Sequence, residues 1–537
     1  MRKIIATVLV LFVYLITINV QGQTTELRII KIDKNLRDYK NQYDLSTPLK
    51  SFITFKYLQS EGKKSKYRSV NSFRIRGAFP QENTADIEVA DEKKRSILNK
   101  KIKEVLYYKD SVAAVLSPYV AEPMYIIYYY SLEDGKWLGA GEGLGNDLND
   151  ARTRFKKNAP VFSDYNKRIE ILKSVPKNLD LFVNYLKSSS KQPKVFLLDA
   201  LKKYKIVVYG ELHRRKSSWD LLKSVIKEDN FSKSVGTVFM ELSSDKQQKI
   251  DGFFSSRKLD TEIILDIFRD VQISGWYDKG MYEFLIDLWK LNKKLPKKQR
   301  IDIILVDEPR PFNSFKTKKE LEEHFDSVLD RNEQMARIVS TTIKSKKSKR
   351  NNLFIVGAAH AYKSSVQGIA SGKPRIKAKS TAVAQLVKIF SDKEVFSIFS
   401  HGPIISNNGT IHGKVRQGVF DRAFAEYGNK PLMFNLKDSP FGKEPFDGIY
   451  EISYDEKVGS YQDNYDAYLY LESLESEDEE YFLYEILTDD YVKELKRRAK
   501  MSGSSIKRWF GVDEETKEAI IKHYKEKYEG KKRWRNF

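Results

Sequence analysis

Between residues 195 and 440 the chain repeats one pattern, a short β-branched or aromatic run followed by an amphipathic helical stretch. The runs are Lys205–Tyr209, Gly236–Met240, Ile301–Val306, Leu353–Val356, Val395–Phe399 and Pro431–Asn435. The helical stretches include Ser217–Glu228, Lys279–Asn292, Lys318–Ile343 and Thr381–Ser391. Runs that are apolar throughout suit strands covered on both faces, and helices between them suit crossover connections. The pattern therefore predicts an α/β fold, a mostly parallel sheet with helices on both faces. Within Lys318–Ile343, the residues Leu321, Phe325, Val328, Leu329, Met335, Ala336, Val339 and Ile343 form one stripe at helical spacing, with Asn332 inside it and Arg331 at its edge.

In an open parallel sheet, ligands bind beyond the carboxyl ends of the strands. The first run leads into Gly210-Glu211-Leu212-His213 and the second into Glu241. The third leads into Asp307-Glu308-Pro309, the fourth into Gly357-Ala358-Ala359-His360, and the fifth into His401. The chain has only six histidines, and three of them fall just past a strand in this way. Loops past strands are polar in any protein, so one such residue would say little; five in succession predict a shared site. A buried guanidinium is costly unless paired. Arg331 is thus expected either in a structural salt bridge to a loop, or reaching the strand-end carboxylates or an anionic intermediate. His401 stands in a Ser-His-Gly-Pro turn, where a plain structural role is equally expected. His324 and His523 lie in charged helices and are expected to face solvent; His412 is assigned nothing.

The segments Tyr-Gly-Glu-Leu-His at 209–213, Phe-Met-Glu at 239–241, Arg-Asn-Glu-Gln-Met-Ala at 331–336 and Val-Gly-Ala-Ala-His at 356–360 occur in that order. Together they resemble the signature of the superfamily that joins erythromycin esterases, bacterial haem-binding uptake proteins and Tiki proteases. The spacings from His213 to Glu241 (241−213 = 28) and from Arg331 to His360 (360−331 = 29) are also similar to the family's. Arg416–Asp421 and Asp438–Gly442 add to the likeness less specifically. The resemblance covers roughly residues 200–440. In esterases of this kind it implies His213 as general base on water, Glu241 or Glu211 orienting it, and His360 and Arg331 assisting at the carbonyl. In Tiki-like members it implies a divalent metal, zinc, manganese or iron, held by His213, Glu241 and His360. In the haem-binding members it implies a binding module without turnover; with 31 tyrosines in the chain the axial ligand stays open. The expected function is a hydrolase of ester, amide or peptide bonds, metal-assisted or not, acting on a small molecule or a peptide. A haem-binding uptake module is the alternative.

The flanking regions read differently. Residues 24–190 form a separate small α+β unit, with runs at Ser111–Leu116 and Met124–Ser131. The second run ends in the turn sequence Glu133-Asp134-Gly135-Lys136 before Trp137. Helices are expected at Arg95–Leu106 and Asp150–Lys157, and the mixture resembles the cone-shaped nuclear-transport-factor-2-like group. Residues 188–193 read as a linker. Residues 441–537 read as a helical extension of the α/β domain. There the acidic run Glu475, Glu477, Asp478, Glu479 and Glu480 is expected as a solvated face or loop, and Lys531–Arg535 as a soluble basic end. Arg2-Lys3 followed by the uncharged run Ile4–Val20 reads as a signal peptide over residues 1–22, and hence as export to the periplasm or medium. Membrane contact is expected only if that segment stays uncleaved. Cysteine is absent, which excludes disulfides, thiolate zinc sites and a cysteine nucleophile, so any metal must use His and carboxylate ligands. The formal charge of +22 is spread over the whole chain with no recognisable nucleic-acid motif, and nucleic acid is not an expected partner.

Overall fold

A computed structural model of the chain describes residues 27–534, apart from 72–85, 120–122, 174–175, 347–348, 367–368, 371–372, 375–378, 406–410, 448–458 and 479–481. The expected signal peptide lies outside the described residues. No helix among the described residues is long and apolar enough to cross a membrane. The chain divides into two compact units, one holding Met1–Lys173 and the other most of Ser174–Phe537.

The first unit is built on five antiparallel strands whose spatial order is their chain order: β1 (Leu27–Asn35), β2 (Lys101–Tyr108), β3 (Val112–Pro118), β4 (Tyr125–Glu133) and β5 (Lys136–Gly145). The β4–β5 turn is Asp134-Gly135, both at positive φ (50° and 73°), the geometry that two-residue hairpins favour and glycine permits. One face packs on the helix Leu148–Lys173, where Phe155 and Phe162 stack on Tyr129. The other packs on the helix Pro48–Ser60 through Phe52. The helix expected at Arg95–Leu106 is instead a helix over Asp91–Leu98 followed by β2. Val105, Tyr107 and Tyr108 favour a strand, and Ile102, Glu104 and Leu106 all bury on pairing with β1 and β3.

The second unit holds a seven-stranded sheet. Its strands are β6 (Ile206–Glu211), β7 (Val235–Ser243), β8 (Asp302–Asp307), β9 (Asn351–Gly357), β10 (Val395–Ser400), β11 (Leu432–Asn435) and β12 (Ala467–Tyr470), in spatial order β11-β12-β10-β6-β9-β7-β8. Every neighbouring pair is parallel except β11–β12. Alternate residues feed two cores. Val207, Tyr209, Val238 and Met240 meet the helices Pro193–Lys203, Lys216–Ile226 and Lys279–Lys294. Ile206, Val208, Phe239 and Phe354 meet the helices Arg331–Ser345, Ala382–Phe390 and Val419–Glu426. This is the expected α/β architecture, covered on both faces.

Three boundaries differ from expectation. Helix Asp180–Ser189 belongs to the second unit, where Phe182, Val183 and Leu186 bury. The 188–193 segment that follows it is pinned to β11 by reciprocal backbone bonds of 2.9 Å between Lys191 and Met433. The segment after 440 is not only helical, since it supplies β12, four wholly buried residues between β10 and β11. The single helix expected over Lys318–Ile343 is two, Lys318–Ser327 and Arg331–Ser345. Asp330 caps the second by accepting from the Asn332 N–H at 3.0 Å, and Val328 between them is extended.

Candidate active site

Leaving β6, the chain crosses to β7 and β8 on one side, returns through β9, and then continues to β10 on the other. Diverging connections of this kind leave a crevice at the carboxyl ends of the central strands. Glu211 ends β6 and pairs in register with Gly357, the end of β9. The β7–β8 register slips between Met240 and Ser243, and Glu241 sits in that irregularity. Bulges of this kind re-aim a side chain.

Glu241 is the centre of the cluster. Its Oε2 accepts from the Gly357 N–H at 2.6 Å and its Oε1 from Arg331 Nη2 at 2.6 Å. Arg331, the first residue of its helix, also grips Asp307 with two prongs, Nε to Oδ1 at 2.9 Å and Nη2 to Oδ2 at 2.8 Å. The expectation that Arg331 reaches the strand-end carboxylates is what the geometry has. Burial works to raise the Glu241 carboxyl, but His360, Arg331, His213 and the Gly357 amide together hold it at about 2.

His360 lies in the one-turn helix Ala358–Ala361. Its Nδ1 is 2.8 Å from Asn332 Oδ1, which also accepts from the Ala382 N–H at 2.9 Å. An oxygen already accepting from a backbone amide is an acceptor for the ring too, so Nδ1 carries the proton and Nε2 keeps its lone pair. Nε2 stands 3.6 Å from Glu241 Oε1. Burial holds this imidazole below its ordinary pKa; Glu241 pulls the other way, and Arg331 pushes with burial.

His213 is the opposite case. Its Nδ1 is 2.5 Å from Oε1 of the buried Glu211, while 43% of its side chain stays exposed and Trp276 meets its ring edge-on at 5.0 Å. Burial lowers its pKa, but the charges of Glu211, Glu241 and Asp278 outweigh that and push it up to about 9. A Cβ placed on Gly357 would lie 3.0 Å from His213 Cε1 and 3.1 Å from both His213 Nε2 and Glu241 Oε2, so His213 and Glu241 converge over that glycine.

The structure thus brings Glu211, His213, Glu241, Arg331 and His360 together. His401 is not among them: it is wholly buried, with Nδ1 2.8 Å from the Tyr468 hydroxyl and Nε2 3.4 Å from Asp421 Oδ1. His324 and His523 are half-buried rather than solvent-facing; His324 Nε2 lies 2.9 Å from the Pro309 carbonyl, and His523 Nε2 is sealed from solvent. Two supporting residues escaped the sequence reading. Asn332 looked like a polar interruption of an apolar stripe. Asp278 caps the helix Lys279–Lys294 through the Met281 N–H (2.9 Å) and also accepts from the Arg214 N–H (3.0 Å) and Trp219 Nε1 (3.1 Å), which ties down the loop after His213. A carboxylate just ahead of a helical run is the capping signal that could have found it. Burial and the nearby Glu211 raise its pKa to about 6.

No group of three or more His, Asp and Glu side chains among the described residues is arranged to hold a metal ion. The donor set explains this. One Glu241 oxygen meets the Gly357 amide and the other meets Arg331, which also grips Asp307. A divalent ion held by His213, Glu241 and His360 would share Glu241 with Arg331 and the Gly357 amide. Were haem bound, His213 in its neutral form would be the candidate ligand and Trp276 would supply an aromatic ring beside it.

No family model matches the chain, and no curated protein matches it. Among solved structures it is similar to a succinoglycan biosynthesis protein, at 11% identity and TM-score 0.38, covering 56% of this chain and 98% of that one. It is similar to an erythromycin esterase mutant in its open conformation, at 10% identity and TM-score 0.35, covering 52% and 93%. A structure of ChaN of Campylobacter jejuni with cofacially bound haem is similar at 12% identity and TM-score 0.26, covering 42% and 94%.

Proposed function

We propose that the second unit is a hydrolase of ester, amide or peptide bonds that works with two histidines and no metal. The observation that carries this reading is the opposite anchoring of the two rings. His213 Nδ1 rests on a carboxylate, and His360 Nδ1 on an amide oxygen already accepting from Ala382. Groups whose environments drive them to opposite protonation states divide acid and base work between them. Neutral His360 offers Nε2 to take a proton from water as the water oxygen attacks the acyl carbon. His213, charged at neutral pH, hydrogen-bonds the carbonyl oxygen through Nε2–H as that oxygen gains charge, and then transfers this one proton to the departing oxygen or nitrogen. One acyl bond and one water become one acid and one alcohol or amine; His360 then releases its proton to solvent and His213 takes one up, which restores the starting protonation of both rings. This assignment exchanges the roles that the family resemblance implies, where His213 is the base. Arg331 keeps Glu241 ionised between the rings, and Glu241 steadies the positive charge that His360 acquires.

The substrate in this reading is a small molecule or a peptide. We propose export as well, on the basic and apolar start of the chain. A panel of chromogenic esters, anilides and quenched peptides, assayed on wild type and His360→Ala, tests the hydrolase. Turnover is expected in wild type after exhaustive chelation and absent in the variant. Activity that vanishes on chelation and returns with zinc or manganese would overturn the metal-free scheme. A saturable Soret shift with haemin, without turnover of any substrate, would replace it with haem carriage.

A further inference from the structure

The acidic run and the basic end, both expected as solvated, meet at the loop that carries His213. Arg533 Nη2 donates to the His213 carbonyl oxygen at 2.9 Å. Arg533 Nη1 donates to Glu477 Oε1 at 3.1 Å, and its backbone N–H donates to the Glu477 carbonyl at 2.8 Å. The second oxygen of Glu477 lies 2.8 Å from Nη2 of Arg215, two residues after His213. Arg215 and Glu477 are both almost wholly buried, and Arg215 Nη1 donates to the His401 carbonyl at 2.6 Å. Lys532 continues the seam, bonding Asp478 at 2.6 Å and the Ser476 carbonyl at 2.8 Å, with a β-bridge between Asp478 and Lys532. Trp534 is buried and takes the Arg533 guanidinium at 4.7 Å from its ring centre.

Burying such an Arg–Glu–Arg chain costs solvation, and a hydrophobic replacement of the same size would often be at least as stable. A gain in stability is therefore a poor account of it. Its contacts identify what it holds. Arg214, between His213 and Arg215, has φ +63°, an unfavourable conformation for a side chain of that size. The Asp278 carboxylate holds this backbone from one side, and the Glu477 and Arg533 pair holds it from the other. The 2.5 Å contact between His213 and Glu211 requires the His213 backbone to stay in place, because the two residues are separated only by Leu212 and their side chains must turn toward each other.

We infer that Arg533 and Glu477 are positioning residues for His213, so that the end of the described chain completes the candidate site from 320 residues away in sequence. For catalysis this rests on the hydrolase reading, whereas the placement of His213 does not. The test uses the full-length protein as wild type, Arg533→Ala, Arg533→Lys and Glu477→Gln, with His213→Ala to assign the signal. The His213 titration is followed by the NMR shift of its Cε1–H and by its rate of modification with diethyl pyrocarbonate, which attacks neutral imidazole. Releasing the carbonyl should loosen the Glu211 contact. In Arg533→Ala the His213 midpoint should fall by about one pH unit, and modification at pH 7 should speed up severalfold. Arg533→Lys should recover part of both, since a shorter-reaching ammonium keeps the charge but not the planar fork whose two nitrogens meet Glu477 and the His213 carbonyl separately. On any substrate turned over, kcat should fall about tenfold with KM within twofold, since misplacement touches the reacting group. Glu477→Gln should show the same direction, and thermal unfolding identifies any variant that fails to fold. An unchanged His213 titration in folded Arg533→Ala would overturn the inference. A shifted titration with no turnover of any substrate would leave the positioning intact and remove the hydrolase reading alone.

Discussion

His213 and His360 follow neighbouring strands, two residues past the end of β6 and three past the end of β9, and both face Glu241. Their surroundings nevertheless push their pKa values in opposite directions. His213 has a carboxylate on Nδ1 and an exposed ring; His360 has an amide oxygen on Nδ1, a guanidinium nearby and a ring that is only slightly exposed. The two flanks of the cluster show that a histidine's state is decided by what its far nitrogen touches, and not by its place at a strand end.

The comparison breaks most visibly at His360. His360→Ala should lower turnover by about a hundredfold to ten-thousandfold, the range for loss of a general base, with little change in melting temperature because Asn332 keeps its bond to Ala382. If His213→Ala loses activity and His360→Ala does not, the assigned roles are reversed. Arg331→Ala comes next and should act on stability. It leaves the buried Glu241 and Asp307 short of their cation, at a cost of about 3 kcal/mol or more, while Asp307 keeps Arg310 at 3.1 Å. Arg331→Lys should fall between the two, because an ammonium cannot reproduce the two-pronged grip. Denaturant unfolding of the three proteins measures both.

Glu211→Gln sharpens the other flank. Without that charge the His213 pKa should drop from about 9, and the alkaline limb of the rate profile, where the acid is lost, should move to lower pH. The sign for stability follows from the same shift. A histidine whose folded pKa is raised contributes stability that is fully present below its unfolded value of about 6.5 and is lost as pH rises through the folded value. The stability gap between wild type and Glu211→Gln should therefore be widest below about pH 6.5 and should shrink toward pH 9. The smallest effect is expected from Gly357→Ala. Its methyl group would press on His213 and Glu241 at 3.0–3.1 Å, for about 1–3 kcal/mol of strain and a severalfold loss of turnover. An unperturbed His213 titration in that variant would show that the two side chains are free to separate.

Six of the seven strands of the mostly parallel sheet were legible because each is a continuous apolar run between helices. β12 was not. Ala467–Tyr470 is four residues long, too short to show a period, and takes its conformation from β10 and β11 on either side. The break between Ser327 and Arg331 was hidden because the apolar stripe ran across it; Asp330 ends the ambiguity by capping. In the site, the five chemical residues were readable as strand-end and motif positions. Asn332, Asp278, Glu477 and Arg533 were not, because each looks locally like an ordinary helix, cap or surface residue.

The sequence by itself determined the alternation of strand and helix, the parallel sheet, and which titratable residues stand at the strand ends, since residue type and period are local properties of the chain. Tertiary structure alone decided that His360 Nδ1 meets Asn332, that Arg331 joins Glu241 to Asp307, and that Arg533 reaches the His213 carbonyl. Apart from the Glu211–His213 contact, which spans only two residues, protonation and positioning depend on groups brought within about 3 Å across separations of 28 to 320 residues, and no local pattern encodes those contacts.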